Sequence, residues 1–124
     1  MNCTSSIRYN PVHEMSLCEG ILQILEDESR KQGFTRVKQV WLEIGELSGV
    51  EVEAMKFGFD AVMRGSLADQ ATLHIVPLPG QAWCMQCARP VTVKQRFDAC
   101  PDCGSYQLQV TGGDEMKIKE LEVE

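Results

Sequence analysis

Four of the six cysteines in this chain fall in two Cys-x-x-Cys knuckles, Cys84-Met85-Gln86-Cys87 and Cys100-Pro101-Asp102-Cys103-Gly104, twelve residues apart. Two such hairpins can present four thiolates tetrahedrally, the closed coordination of a structural zinc site, and a glycine after the last cysteine lets the second knuckle turn tightly. The surrounding segment, residues 80–111, has little continuous apolar periodicity and cannot build a hydrophobic core of its own. A zinc ion held this way supplies roughly 10–16 kcal/mol of apparent binding energy, ample to fold a module of that size. With all four ligands in place, no coordination position remains for catalysis. The competing readings are a pair of redox dithiols or two disulfides, although a thioredoxin-like motif needs only one pair at a helix start.

Compartment bears on that choice. No apolar run approaches the ~20 residues a membrane helix needs, and the first dozen residues lack the hydrophobic segment and small-residue cleavage site of an export signal. The expectation is a cytoplasmic protein without membrane association, in which paired cysteines signal metal or redox chemistry. The formal net charge of -6 over 124 residues repels a phosphate backbone. Zinc ribbons often bind nucleic acid, but only Arg89, Lys94 and Arg96 are basic within the Cys-rich stretch, so no nucleic-acid partner is expected.

Residues 1–12 show neither helical nor strand periodicity and read as a leader outside the native fold. Ser16 and Glu19 have capping-box spacing, which starts a helix at Leu17. Cys18, Ile21, Leu22 and Leu25 then mark one apolar stripe, and Gly33 supplies a left-handed stop. Val37 to Ile44 is a β-rich run ended by Gly45, with Val40, Leu42 and Ile44 on one face. Ser48 and Glu51 repeat the capping-box spacing before a second helix with Val52, Met55, Phe59 and Val62 on its apolar stripe, ended by Gly65. Residues 72–76 form a second strand that Pro77-Leu78-Pro79-Gly80 breaks. A strand, a helix and a strand in that order favour a right-handed parallel crossover. The tail from Met116 to Glu124 reads as a third strand that returns to the same sheet.

The expected fold class is therefore α+β: a small three-stranded mixed sheet with two helices, carrying an inserted four-Cys zinc-ribbon module. In domain terms, residues 13–79 and 112–124 form the first domain and residues 80–111 the second. Among single residues, Cys18 falls on the apolar stripe and reads as a buried structural thiol. His74 reads as a solvent-facing or satisfied strand histidine and not as a ligand, and Cys3 has no obvious partner. His13, alone in a polar segment before the first helix, is on its own account more often a solvated side chain than a ligand. Enzyme chemistry finds little support: there is no phosphate-cradling Gly-rich loop, no His-Glu-x-x-His, and only two histidines from which to build a triad.

Taken together, His13-Glu14-Met15-Ser16-Leu17-Cys18, Gly45-Glu46-Leu47-Ser48-Gly49-Val50, the paired knuckles and the acidic tail resemble the HypA/HybF family of hydrogenase nickel-incorporation proteins. The likeness runs from His13 to Glu124, and its separated motifs occur in the family's order. It implies a small nickel metallochaperone with an α/β nickel-binding domain and a zinc-ribbon domain. Such a protein delivers Ni(II), as transient cargo, to the large subunit of NiFe-hydrogenase together with a nickel-handling GTPase, and in some organisms also serves urease; a homodimer is compatible with this. By the same resemblance His13 is the principal nickel ligand with Glu14 beside it, and Cys84, Cys87, Cys100 and Cys103 hold zinc. Family members begin with Met directly before this histidine, so that the α-amine, backbone nitrogens and imidazole surround Ni(II) in a square. Here Val12 occupies that place, which a start site called too early explains if Val12 corresponds to an initiation codon. The reading from another class is a zinc-ribbon interaction adaptor with no nickel role.

Overall fold

The structure is a computed structural model that describes residues 11–124. The chain runs α1 (Pro11–Gln32), β1 (Val37–Gly45), α2 (Val52–Met63), β2 (Thr72–Leu78), β3 (Gly80–Cys84), β4 (Arg89–Val93), β5 (Leu108–Gly112) and β6 (Met116–Val123). Two three-stranded sheets result, in the orders β2-β1-β6 and β4-β3-β5. Among the described residues no helix is long and apolar enough to cross a membrane. Cys3 and the greater part of the expected leader lie outside the described residues.

The first helix begins earlier than its capping-box spacing suggests, at Pro11 instead of Leu17, and Ser16 sits inside it. Proline suits a first helical turn because its missing N–H has no partner there in any case, and its φ is already helical. The buried seam explains the extension: Glu14, Cys18, Ile21 and Leu25 are all buried, so the seam starts with a carboxylate that looks polar in the sequence. At the other end Gly33, at φ +83°, donates its N–H to the Ser29 carbonyl, as the expected stop requires.

On β1 the alternation places Val40, Leu42 and Ile44 inside. The second helix is capped by Glu51, whose carboxylate accepts the Ala54 N–H at 3.0 Å; the expected Ser48 cap is displaced by one turn. Met55 and Phe59 are fully buried on its inner face, with Met63 beside them. The second strand passes through Pro77 to Leu78 and does not stop at Val76. Its place at the edge of the sheet accounts for this, since an edge strand has a side on which an N–H is not needed.

Backbone hydrogen bonds define the first sheet as mixed. Gly45 donates to Glu115, and Arg36 and Glu124 exchange bonds in both directions, which makes β6 antiparallel to β1. Glu46 donates to Leu78 where β1 and β2 both end, as parallel neighbours do. In the second sheet β3 is antiparallel to both its neighbours, pairing Gly80 with Val93 and Cys84 with Arg89 on one side and Cys84 with Leu108 on the other.

The described chain divides into two compact units. One comprises residues up to Leu42, Val50–Ile75 and Ile118–Glu124; the other comprises Glu43–Gly49 and Val76–Lys117. The unit that contains the cysteines is thus wider than residues 80–111. It takes in the loop after β1 because Leu47 belongs to its core, packed with Ala82, Cys84, Val91, Val93 and Cys100.

Candidate metal centre

Both knuckles are built alike. Cys84 ends β3, and Ala88 donates its N–H to the Cys84 carbonyl at 2.8 Å; in the second knuckle Gly104 does the same to Cys100 at 2.9 Å. The residue after each pair is left-handed, Gly104 at φ +78° and Ala88 at φ +55°. Each turn also aims an amide at sulfur: Cys87 N–H at Cys84 Sγ, 3.3 Å, and Asp102 N–H at Cys100 Sγ, 3.4 Å. Such donors favour thiolate over thiol. Outside the ring of sulfurs, the Arg89 guanidinium pairs with Asp102 at 2.7 Å and ties the knuckles together.

The four Sγ atoms lie within 4.8 Å of one another. Cys84 and Cys103 are 3.7 Å apart, and Cys87 and Cys100 are 3.9 Å apart. A tetrahedral ion with metal–sulfur bonds of ~2.3 Å needs sulfurs about 3.8 Å apart. The donor set and its spacing therefore fit zinc. No sulfur pair is a disulfide, since all four cysteines are free.

Crowding four thiols spreads their proton affinities. Hydrogen bonding with Cys103, reinforced by burial and by the other two sulfurs, pushes Cys87 up to about 12. Burial pushes Cys100 up as well, but N–H donation from Asp102 and Cys103 outweighs it and brings that thiol down to about 7. A metal ion held by Cys84, Cys87, Cys100 and Cys103 would end the competition, because its ligands bind as thiolates.

The other expected ligands lie in the first turn of α1, where successive side chains point about 100° apart around the axis. His13 is exposed. Glu14 is fully buried, and its Oε2 accepts the Glu51 N–H at 3.1 Å while Oε1 has no partner among the described residues. The two are therefore neighbours in sequence with different surroundings. Cys18, the expected structural thiol, is buried, donates to the Met55 carbonyl at 3.6 Å, and is pushed up to about 11 by burial and by Glu14 and Glu19. His74 stacks on Trp41 with ring centroids 4.7 Å apart and hydrogen-bonds Gln39, the satisfied strand histidine expected. Sequence reasoning missed the contact between Glu14 and Glu51; the signal available was an acidic residue in phase with the apolar stripe.

Comparison with known proteins places the chain in a family. A family model described as hydrogenase/urease nickel incorporation, metallochaperone, matches residues 12–123. The hydrogenase maturation factor HypA of Alkalilimnicola ehrlichii is 67% identical over 113 residues, 91% of this chain and 100% of that one. Those of Azotobacter chroococcum and Rhodopseudomonas palustris are 62% and 58% identical with the same coverage. In fold, the chain resembles the solution structure of the nickel metallochaperone HypA from Helicobacter pylori, with a TM-score of 0.66 at 24% identity over 89% of this chain and 96% of that one. With a four-thiol metal site on the expected fold and a match across nearly its whole length, this chain belongs to the HypA family of hydrogenase and urease nickel-incorporation metallochaperones.

Proposed function

We propose that this protein binds Ni(II) through His13 and hands it to the large subunit of NiFe-hydrogenase during maturation, while Cys84, Cys87, Cys100 and Cys103 hold a structural zinc ion. The observation that carries the reading is the family match over residues 12–123, which spans His13 and all four cysteines. The chemistry supports a division of labour. Four thiolates enclose an ion and release it slowly, which suits a permanent structural metal. Imidazole and amide nitrogens favour a square-planar nickel site, open above and below to an incoming ligand of the next protein. His13, exposed at the start of α1, is accessible for such an exchange.

Ion transfer needs no general acid or base, so the protein is read as a carrier and not as an enzyme. The partners that fit are a nickel-handling GTPase of the maturation system and the hydrogenase large subunit in the cytoplasm, with urease as a further recipient and a homodimer as a compatible state. The test is Ni(II) titration of the wild type and of His13→Ala, monitored by chelator competition. One nickel per chain is expected for the wild type and none for the variant, with one zinc retained in both. Because imidazole must be deprotonated to coordinate, affinity should fall as the solution is acidified. A chain starting with Met in place of Val12 should bind more tightly, since its amine can join the ligand set. Undiminished nickel binding by His13→Ala would remove His13 as the ligand, and a wild type that binds no nickel would leave the interaction-adaptor reading.

A further inference from the structure

Glu14 is completely buried. Carboxylates are rarely so unless something compensates them, and here the compensation, for one of the two oxygens, comes from a helix end. The Glu51 N–H lies at the N-terminus of α2, where the helix dipole is positive, and it donates to Glu14 Oε2 at 3.1 Å. The Glu51 carboxylate serves the same end by accepting the Ala54 N–H. One carboxylate from α2 itself and one from α1 thus cap a single helix.

Below this contact the two helices approach closely. A Cβ added at Gly58 would stand 3.2 Å from Met15 Sδ and 3.3 Å from Cys18 Sγ. Cys18 Sγ in turn donates to the Met55 carbonyl. The seam Glu14-Met15-Cys18 is therefore docked on α2 from its cap to its middle. Glu14 is its outermost member and sets the rotation of the first turn about the axis of α1. His13, one residue earlier, is thereby turned to solvent. For the Glu14 carboxylate to coordinate an ion held by exposed His13, it would have to leave the interface: Oε2 is taken by the Glu51 amide, and Oε1, though without a partner among the described residues, is buried as well.

We propose that the Glu14 side chain positions the nickel site, acting through the N-terminal backbone of α2, and that its carboxylate is not itself a nickel donor. The proposal rests on the reading of His13 as a nickel ligand and assigns its neighbour the task of aiming it. It separates the two features of a carboxylate, since only the hydrogen-bond acceptor is required and not the negative oxygen pair.

Glutamine keeps the acceptor and removes the coordinating carboxylate, so Glu14→Gln is the deciding variant. The measurements are nickel affinity by chelator competition, the Ni(II) absorption spectrum as a signature of the donor set, and hydrogen exchange at the Glu51 amide. Glu14→Gln should bind nickel with near wild-type affinity, an unchanged spectrum and a protected Glu51 amide. Glu14→Ala should lose about tenfold in affinity, as removal of a supporting hydrogen bond does, with the spectrum unchanged and Glu51 protection lost. A changed spectrum in Glu14→Gln, or a loss as large as that of Glu14→Ala, overturns the proposal and makes the carboxylate a donor. Should Glu14→Ala fail to fold, the spectrum and affinity of Glu14→Gln still distinguish a positioning carboxylate from a donating one. Failure of the underlying reading appears elsewhere, as nickel retained by His13→Ala, while a wild type that binds no nickel overturns both.

Discussion

The two compact units solve the problem of staying folded in different ways. In the helix-containing unit a set of large side chains is inside: Phe59, Leu25, Leu42, Met55 and Met63 are all fully buried, although Phe57 faces out. In the Cys-containing unit the buried cluster consists of Leu47, Ala82, Val91, Val93 and two of the cysteines. Its big side chains face out, with Trp83 39%, Tyr106 76% and Phe97 93% exposed. A cluster of one leucine, two valines and an alanine, with Leu108 and Val110 only partly buried against it, offers little apolar surface to offset the entropy of ordering three strands. The first unit has a core to hold it, whereas the second has four cysteines placed to bind a metal.

Removing the metal should therefore break one unit and spare the other. Chelation, or Cys100→Ser, should abolish the amide dispersion of β3, β4 and β5 in NMR spectra, because roughly 10–16 kcal/mol of apparent binding energy is withdrawn. The far-UV helical signal should survive, since α1 and α2 lie in the other unit. Loss of the helical signal under the same treatment would show that the core does not stand alone.

Cavity mutations should sharpen the contrast. Phe59→Ala empties the middle of the helical core and should cost about 3–5 kcal/mol, read from urea unfolding followed by the helical signal. Leu47→Ala should cost about 2–5 kcal/mol by the same mechanism, but its effect should appear as faster zinc loss to a chelator. If Leu47→Ala lowered the helical transition as much as Phe59→Ala, the assignment of Leu47 to the Cys-unit core would be wrong.

The same contrast explains what could be read from the sequence. The knuckles were legible because their chemistry is local: two cysteines three residues apart at each turn, followed by Gly104. The stripe Cys18-Ile21-Leu25, the strand with Val40, Leu42 and Ile44, and the stop at Gly33 were legible because periodicity and a left-handed residue report on neighbours along the chain. The parallel pairing of β1 and β2 followed from the strand-helix-strand order. What escaped depends on residues far apart in sequence. Glu14 resembles a polar face until the α2 N-terminus is placed beside it, so the first turn of α1 was set too late. Leu47 is a single apolar residue in a turn and has no period to reveal its core. Pro77 stops a strand only where its nitrogen faces a partner, and nothing local shows that β2 is an edge.

A buried thiol offers a probe of the core-held unit alone. Burial, first, and then Glu14 and Glu19 raise Cys18 from 9.0 to about 11 in the folded chain. The folded state thus holds its proton to higher pH than the unfolded state does. The resulting stability is fully present below pH 9.0 and is lost as pH rises through about 11. Urea midpoints of the helical signal should fall across that window in the wild type, and the slope should flatten in Cys18→Ala. An unchanged slope would place the alkaline sensitivity on other groups.

The smallest expected effect compares the two knuckles directly. They share a hydrogen bond from the residue after the second cysteine back to the first cysteine's carbonyl, and both place that residue at positive φ. Gly104 adopts φ +78° without a Cβ to obstruct it, whereas Ala88 holds φ +55° with one. The left-handed region costs an L-residue of this kind about 1–2 kcal/mol. Glycine at position 88 would relieve that strain and lose a part of the gain, about 0.5–1 kcal/mol, to the greater freedom of the unfolded chain. Ala88→Gly should accordingly slow zinc loss slightly and raise the stability of the Cys unit by up to about 1 kcal/mol. The helical transition should not move. Gly104→Ala is the mirror experiment and should weaken the site by a similar amount. If both variants were neutral, the knuckle conformations would be set by the four metal–sulfur bonds with enough excess energy to mask the backbone, and metal, not turn geometry, would be the sole determinant of this unit's fold.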